Sequence, residues 1–323
     1  MARSVSLPDS NAAGSPGLRR TALRRIVRPC PAQAGGFLGR AVLIPLQWIG
    51  LFGVVTVFTV MLALGLMLGR EQIAAALERR VVLAAVVFAV LVPIPALAVL
   101  VVMVFQPSPP VAAGIVLMAI SPGSPVALRR ALDAGGDPRF APTLHLAIVM
   151  LAVVTVPLSI VILDWIFSRE FAVTPFDVGR QVFFAQLLPL ALGAALRAWK
   201  PVLANALQPR LEWLGNLLLI VLAGMILADV PSIIGRVGWM PTAAGFAMTV
   251  VALGVGAAFA GRDASARPAA AVAAAMRNPG LALLIATLNR APPAVIEGII
   301  GYAVGLAAAL VVFLRWRKRV AGG

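Results

Sequence analysis

Long apolar runs separated by short polar connections fill the chain from about residue 43 to residue 315. Crossing a bilayer takes roughly 20 apolar residues in a helix. Stretches near that length run from Leu43 to Leu68, Val81 to Val104, Val111 to Leu128, Ala141 to Phe167 and Val178 to Leu196. Four more follow, from Leu211 to Ile234, Met240 to Ala260, Pro268 to Leu288 and Pro293 to Leu314. The connections are short enough that neighbouring helices must run antiparallel, so nine crossings place the two termini on opposite faces. Composition agrees: 61% hydrophobic residues, 12% charged residues and a mean hydropathy of +0.99 exclude a soluble domain and make the bilayer a partner.

Two of the apolar segments are interrupted midway, at Ser121-Pro122-Gly123-Ser124-Pro125 and at Met276-Arg277-Asn278-Pro279-Gly280. A break at membrane depth frees backbone amides and carbonyls that hydrocarbon cannot satisfy, so it must be buried in protein or line a polar cavity. The first break falls in the third of the first four helices, the second in the fourth of the last five. Two inverted five-helix repeats that lack the first helix account for this arrangement. The expected fold is therefore an all-α polytopic membrane protein of nine helices, with two broken helices crossing in the core. Paired breaks of this kind point to a substrate site at the midplane. They nominate Ser121, Gly123, Ser124, Arg277, Asn278 and Gly280 as substrate-binding residues.

The net charge of +15 would indicate a nucleic-acid partner in a soluble chain, but here the basic residues sit mainly in short loops beside apolar spans. No nucleic-acid partner is expected. Fifteen Lys and Arg lie on the face reached by the loops after helices 1, 3, 5 and 7 and by the tail, against four on the other face. The positive-inside rule then puts the C-terminus in the cytoplasm. Residues 1–40 disagree, since they carry seven arginines and one acid, Asp9, yet fall on the outside. Removal or mis-starting of the leader, a re-entrant piece near Gly36 to Gln47, or a helix count wrong by one would each reconcile them. The leader reads as a disordered bacterial tail, with an organelle transit peptide as the alternative. The domains expected are a polar leader over 1–40, a transmembrane transporter domain over 41–315 and a basic cytoplasmic tail over 316–323, in a bacterial inner membrane.

Arg277 stands about halfway along an apolar span, where a guanidinium is costly unless it faces a cavity and finds a partner. All twelve carboxylates fall in loops, the leader or near helix ends, with Glu297 and Asp229 the nearest. A fixed cation in such a place points to a bound anion, aided by half-helix amides after Gly123 and Gly280. Bonding to carbonyls freed by the break, or pairing with Glu297, is the structural alternative. Asn278 can ligate or brace the break. His145, the single histidine, and Glu297 are candidate coupling groups. With one histidine and one cysteine, Cys30 in the leader, there is no metal-ligand cluster, no catalytic constellation and no cofactor motif. A non-enzymatic carrier is expected.

The stretches GIVLMAISPGSPVALRRALDAGGD and ARPAAAVAAAMRNPGLALLIA, with VLVPIPALAVLVV before them, resemble the bile acid:sodium symporter family over approximately residues 43–315. The resemblance implies two inverted five-helix repeats sorted into a panel and a core domain, and nine helices in members that lack the first. It also implies a transporter. Sodium-coupled members carry a glutamate where this chain has Ala273 and a glutamine where it has Arg277. Their polar pair after the first break becomes apolar near Val126 to Leu128, and a serine and a threonine fall near Ala141 and His145. The resulting expectation is a secondary transporter of a small organic anion, working by alternating access without sodium. An oxyanion exporter of a related family, or a non-transporting sensor or scaffold, are the alternatives. Substrate, direction, coupling ion and oligomeric state are not legible.

Overall fold

The structure, a computed structural model, describes residues 46–166 and 175–321. The leader with Cys30, most of the piece near Gly36 to Gln47, and Arg169 lie outside the described residues. The helices are α1 (Leu46–Met67), α2 (Arg70–Glu78), α3 (Arg80–Leu91), α4 (Pro93–Phe105), α5 (Pro109–Ala119), α6 (Ala127–Asp133) and α7 (Phe140–Ile166). They continue with α8 (Pro175–Val182), a π-helical turn at Phe183–Leu187, α9 (Leu188–Trp199), α10 (Pro201–Val237), α11 (Met240–Phe259), α12 (Arg267–Ala275), α13 (Pro279–Leu288) and α14 (Pro293–Ala321). No strand occurs among the described residues.

Proline does much of the punctuation. It occupies the first or second position of α4, α5, α9, α11, α12 and α13. There its fixed φ suits the helix, and its missing N–H is one the helix would leave unpaired anyway. The same chemistry interrupts the second apolar span, where α3 gives way to α4 at Val92 because Pro93 cannot continue the ladder.

Among the described residues six helices are long and apolar enough to cross a membrane: Arg80–Phe105, Phe140–Ile162, Phe176–Trp199, Met240–Phe259, Arg267–Leu288 and Pro293–Val320. Shorter apolar helices cover Leu51–Met67 and Pro109–Ala119. The helix expected from Leu211 to Ile234 is longer, beginning at Pro201 and running 37 residues. The last helix continues through the basic residues to Ala321.

Burial singles out one span. In Arg267–Leu288, which contains the second break, 89% of the most apolar window is buried, against 33–61% for the other five. The other spans leave more of their surface exposed, while α12 and α13 run through protein. Their alanine-rich sequence permits this, as Ala269 to Ala275 pack on all sides with little side-chain volume. Elsewhere α1 and α9 touch backbone to backbone: a Cβ on Gly65 would stand 2.2 Å from the Leu190 carbonyl oxygen, and one on Gly193 would stand 2.4 Å from that of Leu62.

At one end of the bundle Arg79 ties the loops beside both broken helices together. Its Nη1 lies 3.0 Å from Asp137, 3.5 Å from Asp263 and 2.9 Å from the Ser265 hydroxyl. The Asp137 amide also donates to the Ser265 carbonyl. Burial raises the pKa of Asp263, but hydrogen bonds from the Ser265 hydroxyl and the Ala266 and Ser265 amides, together with the Arg79 charge, outweigh it and hold the carboxyl below its ordinary range.

Candidate substrate site at the helix breaks

In the first break α5 stops at Ala119, and Ser121 turns its hydroxyl back onto the Leu117 carbonyl at 2.7 Å. Gly123 then adopts φ +75°, a left-handed conformation open to glycine and strained for other residues. Ser124, 2% exposed, accepts the Ala127 amide through its carbonyl and so opens α6. In the second break Met276 and Asn278 are extended, and α13 restarts at Pro279.

Asn278 joins the two breaks. Its amide donates to the Ser121 carbonyl at 2.8 Å, and its side-chain Nδ2 donates to the Gly123 carbonyl at 3.2 Å. Its Oδ1 accepts the Leu281 amide at 3.0 Å, which caps α13. Asn278 therefore braces the breaks, and the Leu281 amide of α13 is already taken. A Cβ on Gly280 would stand 3.0 Å from Val57 of α1, so the restart is closely packed.

Arg277, 1% exposed, is the largest fully buried side chain. Its Nη2 donates to the Val90 carbonyl at 2.9 Å, two residues before the interruption at Val92, while Nε and Nη1 meet no acceptor. The guanidinium thus reaches toward a third interruption, one that the sequence displays as Pro93-Ile94-Pro95 and whose part in the site it does not announce. A buried cation with two idle donors is an expensive state, and an anion between those donors is what would relieve it.

His145 is 3% exposed on α7, and its Nε2 has no hydrogen-bond partner. Val149, one turn further along the same face, packs where a Cβ on Gly123 would be. Glu297 is half-buried on α14, next to Gly298, which packs against Val111 and Gly114 at the start of α5, away from the breaks. The side chain of Asp229 lies outside the described ones. Between α1, α2, α7 and α9 lies a cavity of about 690 Å³, lined among others by Leu68, Arg70, Leu146, Met150, Leu190 and Arg197. None of the eight residues nominated from sequence lines it. No metal-binding group of His, Cys, Asp and Glu occurs among the described residues. Sequence reasoning missed Val90 and Gln186. The second is an amide deep inside an apolar span, which was the available signal.

A family model for the sodium bile acid symporter family matches residues 54–235, more than half of the 323-residue chain. The chain belongs to the sodium bile acid symporter family. Membership makes it a multi-pass membrane transporter rather than an enzyme. The matched region holds the first break and stops before the second, so Arg277 and Asn278 stand on their geometry alone. No curated protein matches the chain.

Proposed function

We propose that this symporter-family member carries a small organic anion by alternating access and does so without sodium. The observation that carries the reading is Arg277: a guanidinium buried where the breaks meet, with Nε and Nη1 unpartnered. A carboxylate or sulfonate matches that planar fork. The same charge argues against a coupling cation. A monovalent ion about 4 Å away would meet a repulsion of roughly 4 kcal/mol at an effective dielectric of 20. Ala273, one turn before Arg277 and 8% exposed, offers no carboxylate where the family resemblance places one. Arg277 does not line the 690 Å³ cavity, so access to it from there requires a change of conformation.

The finer architecture belongs to the same proposal. Nine crossings built as inverted five-helix repeats without the first helix put the basic end of α14 in the cytoplasm, with the leader preceding the transporter domain. His145, buried without an Nε2 partner, is the candidate proton-coupling group, and Glu297 the second. A thermal-shift screen of small carboxylates and sulfonates, run in sodium and in potassium at two pH values, tests the reading. Stabilisation by an anion that is equal in the two salts supports it. A saturable stabilisation or flux that requires sodium refutes it.

A further inference from the structure

Gln186 has no exposed surface, and neither its Nε2 nor its Oε1 has a hydrogen-bond partner. Local backbone explains how an amide came to be there. Phe183–Leu187 is a π-helical turn, whose extra residue shifts the faces of the helix; Phe183 and Phe184 turn outward while Gln186 turns in. Such turns are frequent at functional sites.

The amide points at the first break. Its Oε1 stands 3.5 Å from the place a Cβ on Gly123 would take, beside Val149. It does not brace that break, since neither end of the amide makes a hydrogen bond to it. On its other side the next residue, Leu187, lines the 690 Å³ cavity together with Leu146 and Met150, which flank Val149 on α7. Gln186 therefore lies between residues that line the cavity, Leu187, Leu146 and Met150, and the break.

We propose that Gln186 is a substrate-recognition residue, whose amide pairs with a hydroxyl or carboxamide that the anion carries beside its charged end. The donor and the acceptor of one primary amide suit a group that can both accept and donate, which a plain alkyl carboxylate lacks. The substrate class narrows to hydroxylated or amidated organic anions, because an unsubstituted analogue leaves the buried amide unpaired and is rejected for it. The charged end is taken from the Arg277 reading. The amide contact is independent of it.

Three measurements on the full-length protein test this. In a Cys30→Ser background, Gln186→Cys is expected to react in membrane vesicles with a small membrane-impermeant thiosulfonate reagent, while Ile285→Cys, also buried, stays unreactive. A Gln186→Cys variant that purifies normally and stays silent from both sides overturns the proposal. Gln186→Leu is expected to melt at or above the wild-type temperature, because no hydrogen bond is lost; a fall of several degrees assigns the amide to structure and equally overturns it. For specificity, 2-hydroxyisovalerate should bind wild type about tenfold more tightly than isovalerate, a preference that Gln186→Leu abolishes. An unchanged preference in the variant contradicts the proposal. If no anion of the thermal-shift screen binds wild type while Gln186→Cys reacts and Gln186→Leu is stable, the anion reading of Arg277 falls and the accessible amide stands.

Discussion

Replacing Asn278 by alanine removes two side-chain hydrogen bonds at once, one within α13 and one between the two breaks. The cap alone is worth about 1 kcal/mol. An interhelical side-chain hydrogen bond in a membrane protein averages only roughly 0.6 kcal/mol, because the separated helices find other partners. Here the two groups left behind, the Leu281 amide and the Gly123 carbonyl, are buried where water cannot reach, and each orphaned group costs about 1–3 kcal/mol. The orphaning outweighs the bonds themselves, and the total comes to about 2–5 kcal/mol. At roughly 2–4 °C per kcal/mol, the melting temperature should fall by about 4–20 °C. Thermal unfolding of the detergent-purified protein, followed by a thiol-independent reporter such as intrinsic fluorescence, reads this. Thr287→Ala is the control, since its hydroxyl bonds the Leu283 carbonyl of its own helix and joins nothing. A melting temperature for Asn278→Ala within about 1 °C of wild type, or an equal fall in Thr287→Ala, would show that the breaks are held by something other than Asn278.

Helix contact and loop charge supply two further tests. Gly65→Ala and Gly193→Ala place a methyl against backbone within 2.4 Å and should lower the melting temperature or the yield of folded protein. Gly254→Ala, with open space around it, should be neutral or gain up to about 1 kcal/mol in helix propensity; equal behaviour of all three contradicts the close approach of α1 and α9. Asp263 has a folded pKa below its unfolded value near 3.8, so the stability it adds is present above that value and lost as pH falls through the folded one. Asp263→Asn should therefore melt lower than wild type at pH 6 and converge with it in strong acid. A difference that persists unchanged at low pH assigns the loss to packing.

Both breaks were legible because proline and glycine fall together there and weaken the helix most in combination. The structure interrupts the helices at Pro122-Gly123 and Pro279-Gly280, whereas Pro157, alone, stays inside α7. Most helix ends were legible for the same reason, proline marking the starts of α11 and α14 where the apolar runs begin. The start of α10 at Pro201 was not, because Lys200 to Arg210 is polar enough to read as a loop although helix propensity carries it. At the site, the burial and depth of Arg277 followed from its place in an apolar span. Its contact with Val90 did not follow, since it joins residues 187 positions apart, and no local pattern encodes which interrupted helix meets which. Gln186 escaped because nothing local distinguishes it from Gln181, five residues earlier in the same span. Its significance comes from the π turn and from Gly123 across the interface.

Anion binding by purified Arg277 variants tests the central claim most directly. With the best anion from the thermal-shift screen, wild type should bind saturably. Arg277→Lys, which keeps the charge and loses the planar fork, should bind about tenfold or more weakly while still folding, and Arg277→Gln should not bind at all. If Arg277→Gln purifies as a stable, monodisperse protein and retains wild-type affinity and anion selectivity, the guanidinium only holds the Val90 carbonyl, and recognition of the anion lies elsewhere.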